Sequence, residues 1–242
     1  MVTKAKHCKI LCAFSLSGFF FFPRQRISVK IIEITEKVAT TYKSTFTGKI
    51  DGNNYTISGI YLNSSDNGEG LFGYTAAGST IKNLQLEESY IASTSKHVGS
   101  IVGSCGGNIL NVSSNAQIDG TASYVGGIAG VISSTNDVTI QDCSYEGKMN
   151  VKDCAGGLVG VVQKGNVTIE NSYFDGKLNT EGSYVGGILG SIDVANTTNI
   201  KKCYSAGTVS STSGYNIGGI LGCIYGAAKV NMENCLNKAS VS

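Results

Sequence analysis

The segment Tyr184-Val185-Gly186-Gly187-Ile188-Leu189-Gly190 recurs along the chain. Upstream stand Val125-Gly126-Gly127-Ile128-Ala129-Gly130 and Ala155-Gly156-Gly157-Leu158-Val159-Gly160; downstream stands Ile217-Gly218-Gly219-Ile220-Leu221-Gly222. Val98-Gly99-Ser100-Ile101-Val102-Gly103 is a divergent copy and Gly70-Leu71-Phe72-Gly73 a shorter one. The closing glycines lie at 73, 103, 130, 160, 190 and 222, so successive steps are 30, 27, 30, 30 and 32 residues. A fixed period of this length marks an architecture of stacked repeats.

Each unit has a second apolar part, beginning at Ile81, Ile109, Ile140, Ile169, Ile200 and Met232. Two residues on stand Asn83, Asn111, Asp142, Asn171, Lys202 and Asn234. Three residues on stand Leu84, Val112, Cys143, Ser172, Cys203 and Cys235. Nine residues on, the last five copies carry Ile118, Met149, Leu178, Val209 and Val241; the first is one residue longer and ends at Ile91. Apolar residues at both the first and the fourth position of a strand require a bend between them, at the Asn column. A unit of about 30 residues with short strands buries its apolar face only against its neighbours. The segments are too short and glycine-rich for helical-pair repeats, and leucine-rich and WD signatures are absent. The pattern predicts an all-β fold, a right-handed single-stranded parallel β-helix of about six coils, with the Asn side chains stacked and hydrogen-bonded at a partly buried corner.

The composition agrees. Of 242 residues 32 are Gly, one is Pro and none is Trp; charged residues are 15% and net charge is +2. Short Val/Ile runs spaced by Ser, Thr, Asn and Gly are strand-and-turn composition. The charge balance shows no electrostatic footprint for nucleic acid.

The V-G-G-I-x-G element, paired with I-x-N-C-x-x-x-G-x-V, resembles the GLUG-motif repeat family. Phe46 to Leu62, with Gly48, Ile50-Asp51-Gly52 and Thr56-Ile57, is similar to the segment that opens such arrays and reads as strand, turn, strand. The resemblance covers residues 46–242. It implies a pectin-lyase-like solenoid. It also implies a role as a repeat within bacterial surface proteins, adhesin-like ones and the non-catalytic part of immunoglobulin-A-cleaving metallopeptidases included, and no active site.

Residues 1–30 lie outside the repeat and 31–45 lead into it. Lys4, Lys6 and Lys9 precede an apolar run from Ile10 to Phe22, shorter than the roughly 20 residues a membrane helix needs. A signal-peptide core and a mis-called start both fit this segment, and no stable membrane span is expected. Ser242 directly follows the last repeat without a capping segment, so a fragment of a longer protein is a further reading.

Candidate chemistry is sparse. Glu146 and Asp175 occupy equivalent positions in consecutive coils, and paired carboxylates at about 5 Å can hydrolyse glycosides. Lys148 and Lys177 stand two residues on, so the favoured reading is a surface ladder of ion pairs. H-E-x-x-H is absent and the only histidines are His7 and His97, the latter expected in a surface turn. None of Cys105, Cys143, Cys154, Cys203, Cys223 and Cys235 forms a C-x-x-C pair, which argues against zinc. Cys203 and Cys235, equivalent in consecutive coils, read as buried thiols, with a disulfide as the alternative. The glycine motifs lack phosphate-loop spacing. No catalytic, metal or cofactor site is assigned and ligand-binding residues stay open.

Strand alternation places Ile128, Gly130 and Ile132 and their equivalents inward, with the glycine making room for a bulky side chain across the coil. Ala129, Val159, Leu189 and Leu221 then form an outward apolar stripe that another domain, another chain or the N-terminal segment covers, with longer neighbouring turns folding over it as the alternative. The functional expectation is a non-catalytic structural and interaction module of a cell-surface or secreted protein. Its expected partners are a host or matrix protein, a glycan or neighbouring domains. The alternative is a β-helical carbohydrate-active enzyme, a polysaccharide hydrolase or lyase.

Overall fold

A computed structural model describes residues 45–193 and 197–242, with the backbone of Val29–Lys30. The apolar run Ile10–Phe22, Cys8, Cys12, His7 and the lead-in up to residue 44 fall outside the described residues. Among the described residues there is no helix, and every strand pairing is parallel. The fold is a parallel β-helix, and four sheets run along it.

One coil illustrates all. Val138–Gln141 and Ser144–Tyr145 belong to the first sheet, Lys148–Val151 to the second, Asp153–Gly156 to the third and Val159–Lys164 to the fourth. Registers follow the sequence period. In the first sheet Ile81, Ile109, Ile140, Ile169, Ile200 and Met232 are successive partners, with Ile50 ahead of them. In the second sheet Leu62, Ile91, Ile118, Met149, Leu178, Val209 and Val241 form one column. The lead-in from Lys49 is therefore itself a coil. Its Asp-Gly-Asn-Asn turn is an enlarged copy of the same corner, since Gly52–Asn54 stand opposite the single residue Asn83, with Asn53 and Asn54 at φ 49° and 60°.

The bend at the Asn column is a single left-handed residue in each coil. Asn83, Asn111, Asp142, Asn171, Lys202 and Asn234 have φ between 49° and 56°. Asn and Asp tolerate this conformation better than other side chains, which explains their recurrence. The expected burial and continuous ladder are not found. Asn111 donates to Asn83 (2.8 Å) and Asn83 to Asp51 (2.9 Å), but from Asp142 onward the corner is exposed, with no bond between corner side chains. Backbone conformation, not axial hydrogen bonding, selects these residues.

The next column has a different logic. The carbonyl just before the bend accepts a side-chain hydrogen bond from the residue just after it, and at Glu170, Lys201 and Glu233 this adds to a backbone bond from the preceding coil. Cys143 Sγ bonds Gln141 O, Ser172 Oγ bonds Glu170 O (2.7 Å), Cys203 Sγ bonds Lys201 O and Cys235 Sγ bonds Glu233 O. In the last four coils a small side chain with one donor fits there, so Ser and Cys interchange; Leu84 and Val112 hold the place in the first two.

The glycine motif departs from simple alternation. The amides of Ile128 and Ala129 both donate to Leu158 O (2.9 and 3.0 Å), and those of Leu158 and Val159 both donate to Ile188 O (3.1 and 3.0 Å). Gly127 and Ile128 form the corner between the third-sheet strand ending at Gly126 and the fourth-sheet strand starting at Ala129, and the chain turns there so that Ile128 and Ala129 both face inward. Ile128, Ala129, Leu158, Val159, Ile188 and Leu189 are all 0% exposed and belong to one core. The expected outward stripe of Ala129, Val159 and Leu189 is thus core, and Leu221 in the last coil is half-buried.

The glycine roles also shift. In two coils the second glycine of the pair, not the closing one, makes room for a ring: a β-carbon on Gly127 would lie 2.3 Å from Tyr145 Cγ, and one on Gly157 2.4 Å from Phe174 Cγ, while Gly187 and Gly219 face Ser205 and Asn237. Tyr145 and Phe174 are fully buried and stack with centroids 6.3 Å apart. The closing glycine lets backbones touch instead, a β-carbon on Gly160 meeting Gly130 O at 2.5 Å and Val125 N at 2.8 Å.

Candidate functional site

The outer face of the second sheet carries the densest polar arrangement. Inward side chains alternate with two outward columns. One column is Tyr61, Tyr90, Gln117, Lys148, Lys177 and Thr208. The other is Asn63, Ala92, Asp119, Asn150, Asn179 and Ser210.

The second column is a hydrogen-bonded ladder along the axis. Asn150 Nδ2 donates to Asp119 Oδ1 (2.6 Å), Asn179 Nδ2 to Asn150 Oδ1 (2.9 Å), and Ser210 Oγ to Asn179 Oδ1 (2.9 Å). Gln117 Nε2 also donates to Asp119. In the first column Tyr61 and Tyr90 stack with centroids 5.4 Å apart, and Tyr61 is 49% exposed. The period-two sequence reading passed over this ladder, although Asn in Met149-Asn150-Val151 and Leu178-Asn179-Thr180 signals it.

Glu146 and Asp175 stand at the edge of this face, in an open depression of about 670 Å³ that also holds Lys148, Lys177 and Lys238. Both carboxylates are exposed. Glu146 accepts the Tyr173 hydroxyl of the next coil, a bond that raises the Tyr173 pKa. Lys148 and Lys177 are register partners, yet none of the ion pairs among the described residues joins either to a carboxylate. The expected ladder of ion pairs is therefore not formed: Glu146 turns to tyrosine, and the two lysines occupy directly opposite positions on adjacent strands.

His97 lies within the strand Lys96–Gly99, not in a surface turn. It is half-buried, at φ 63°, in the position of Tyr124 and Tyr184, and its ring lies 5.9 Å from that of Tyr124. Its Nδ1 is buried without a hydrogen-bond partner, and burial, aided by the neighbouring Lys96 charge, lowers its pKa. Cys105, Cys143, Cys154 and Cys203 are buried free thiols; Cys223 and Cys235 are free and partly exposed. Burial pushes the Cys105 thiol up to about 11 and those of Cys143, Cys154 and Cys203 up to about 12, so thiolate chemistry at neutral pH is disfavoured. Cys203 and Cys235 also bond to Ile169 O and Ile200 O of the preceding coil. Among the described residues no group of three His, Cys, Asp or Glu side chains could hold a metal, and no helix is long and apolar enough to cross a membrane.

No family model matches the chain. Over 95 residues it is 33% identical to Halomucin of Haloquadratum walsbyi, a match covering 39% of this chain and 1% of that protein. Among solved structures it resembles a Bacteroides ovatus protein provisionally assigned as an immunoglobulin A1 protease. The TM-score is 0.67 at 21% identity, over 87% of this chain and 66% of that one. The chain thus spans a small part of the first protein and about two thirds of the second, and with the second it shares the parallel β-helix.

Proposed function

We propose that residues 46–242 form a non-catalytic interaction module of a cell-surface or secreted protein, built from GLUG-type repeats and adhesin-like in role. The observation that carries this reading is the second sheet's outer face. Its tyrosines, amides and lysines line up across consecutive coils as an extended, solvent-facing display. A solenoid suits this task because each added coil lengthens the binding surface. The match to Halomucin and the fold shared with a protein assigned to cleave an extracellular antibody support a surface or secreted setting.

The test is whole-cell labelling in the native host, with an antibody to the chain and protease shaving of intact cells. Surface labelling or recovery from the medium is expected; confinement to the interior of intact cells overturns the reading. The rival reading, a polysaccharide hydrolase or lyase using Glu146 and Asp175, predicts release of new chain ends from a polysaccharide. That release would disappear in Glu146→Gln and Asp175→Asn variants.

A further inference from the structure

We infer that the outer face of the second sheet binds a linear uronate-bearing polysaccharide lying along the solenoid axis, with its carboxylates held between Lys148 and Lys177. This rests on the reading of the chain as an interaction module and adds the ligand class and its site.

The lysines decide the charge of the ligand. Lys148 and Lys177 are direct partners on adjacent strands, so their backbones are about 4.8 Å apart. Like charges directly opposite one another destabilise a sheet. Lys238 enters the same depression, and none of the ion pairs among the described residues uses these three ammonium groups. Two carboxylates, Glu146 and Asp175, line the depression with them; Glu146 accepts the Tyr173 hydroxyl, and Asp119 beside it accepts from Asn150 and Gln117. Three ammonium groups against two carboxylates leave the depression with an excess positive charge, which an anionic group from outside would match.

The remaining groups decide that the ligand is a sugar chain. The same face carries carboxylates at Asp119, Glu146 and Asp175, so a polymer charged at every unit, such as a nucleic acid, meets repulsion beside each attraction. A uronate chain places hydroxyls between its carboxylates. The hydroxyls can donate to Asp175 and Glu146 while the carboxylates take the lysines. Each ladder amide, Asn150 and Asn179, uses one N–H within the ladder and has a second to offer. Tyr61 and Tyr90 add exposed ring surface at the amino-terminal end for the apolar faces of sugar rings. From Tyr61 to Ser240 the column takes six register steps, about 29 Å at the usual strand spacing, a length suited to an extended polymer.

The experiment titrates the purified chain with three probes: polygalacturonate, its fully methyl-esterified form and polyglutamate. Polygalacturonate should bind at least about tenfold more tightly than either other probe, and more weakly as salt rises. The double variant Lys148→Gln/Lys177→Gln should lose about tenfold in affinity with its melting temperature unchanged or raised, whereas Lys164→Gln, off this face, should bind as the parent does. Equal binding of acid and ester, tightest binding to polyglutamate, no binding of polygalacturonate, or undiminished binding by the double variant would each overturn the assignment. These outcomes are independent of whole-cell labelling, so a surface-displayed chain that ignores polygalacturonate refutes the ligand and leaves the module reading standing.

Discussion

The α-carbon of Gly157 lies flat against the ring of Phe174, so close that a β-carbon there would sit 2.4 Å from Phe174 Cγ and 2.0 Å from Gly187 O. The ring could shift; the carbonyl belongs to the next coil and cannot. Gly157→Ala should therefore cost about 3 kcal/mol or more. Adding Phe174→Ala should recover little, because the backbone contact remains. Urea unfolding of the two variants checks this; near-complete rescue by the double variant would mean that the ring alone sets the glycine.

The corner column makes a paired prediction. Lys202 adopts φ 50° where five other coils have Asn or Asp. Lys202→Asn should stabilise by about 0.5–1 kcal/mol through relief of left-handed strain. The exposed pair with Glu170, at 3.4 Å, is lost at small cost. Asn171→Leu, at φ 49°, should cost about 1–2 kcal/mol for the same backbone reason. Thermal unfolding reads both, and a destabilised Lys202→Asn variant would contradict the account.

His97 gives a pH dependence. Burial lowers its pKa from the usual 6.5, so the folded chain holds the neutral ring. The unfolded chain then binds the proton more readily, and folding loses stability as pH falls below about 6.5, towards the folded-state value. His97→Tyr, which restores the residue found at Tyr124 and Tyr184, should flatten the melting-temperature profile between about pH 7 and pH 5. An unchanged slope would locate the titration elsewhere.

Thiol accessibility separates the cysteines. Among the described cysteines, alkylation of the native protein followed by peptide mapping should modify Cys223 and Cys235 first and spare Cys105, Cys143 and Cys203 until the chain unfolds. A disulfide-linked peptide pair containing Cys203 and Cys235 would contradict the free thiols described here.

The parts legible in the sequence were those governed by period. The Ile81-to-Met232 column, the Ile91-to-Val241 column and the bend between them stand in register as the spacing requires. What escaped was everything that breaks a period locally. The corner at Gly127–Ile128 leaves Ile128 and Ala129 both inward, which strict strand alternation does not anticipate. The cysteines beneath the corner read as buried thiols until the carbonyls they bond are located. Lys148 and Glu146 looked like an ion pair by spacing, yet a tyrosine one coil away holds the carboxylate. For the candidate site, the sequence supplied the lysines and acids but not the amide ladder beside them.

The strict register of the coils also shapes how the molecule comes apart. Columns that are fully buried at Ile200 and Val209 surface in the last coil, where Met232 is 49% and Val241 41% exposed. Most contacts link residues one period apart, so each coil is held mainly by its two neighbours. Expressed as these 242 residues alone, such an array loses order from an end inward, one coil at a time, and amide hydrogen exchange should show protection rising from residues 229–241 toward the middle of the stack.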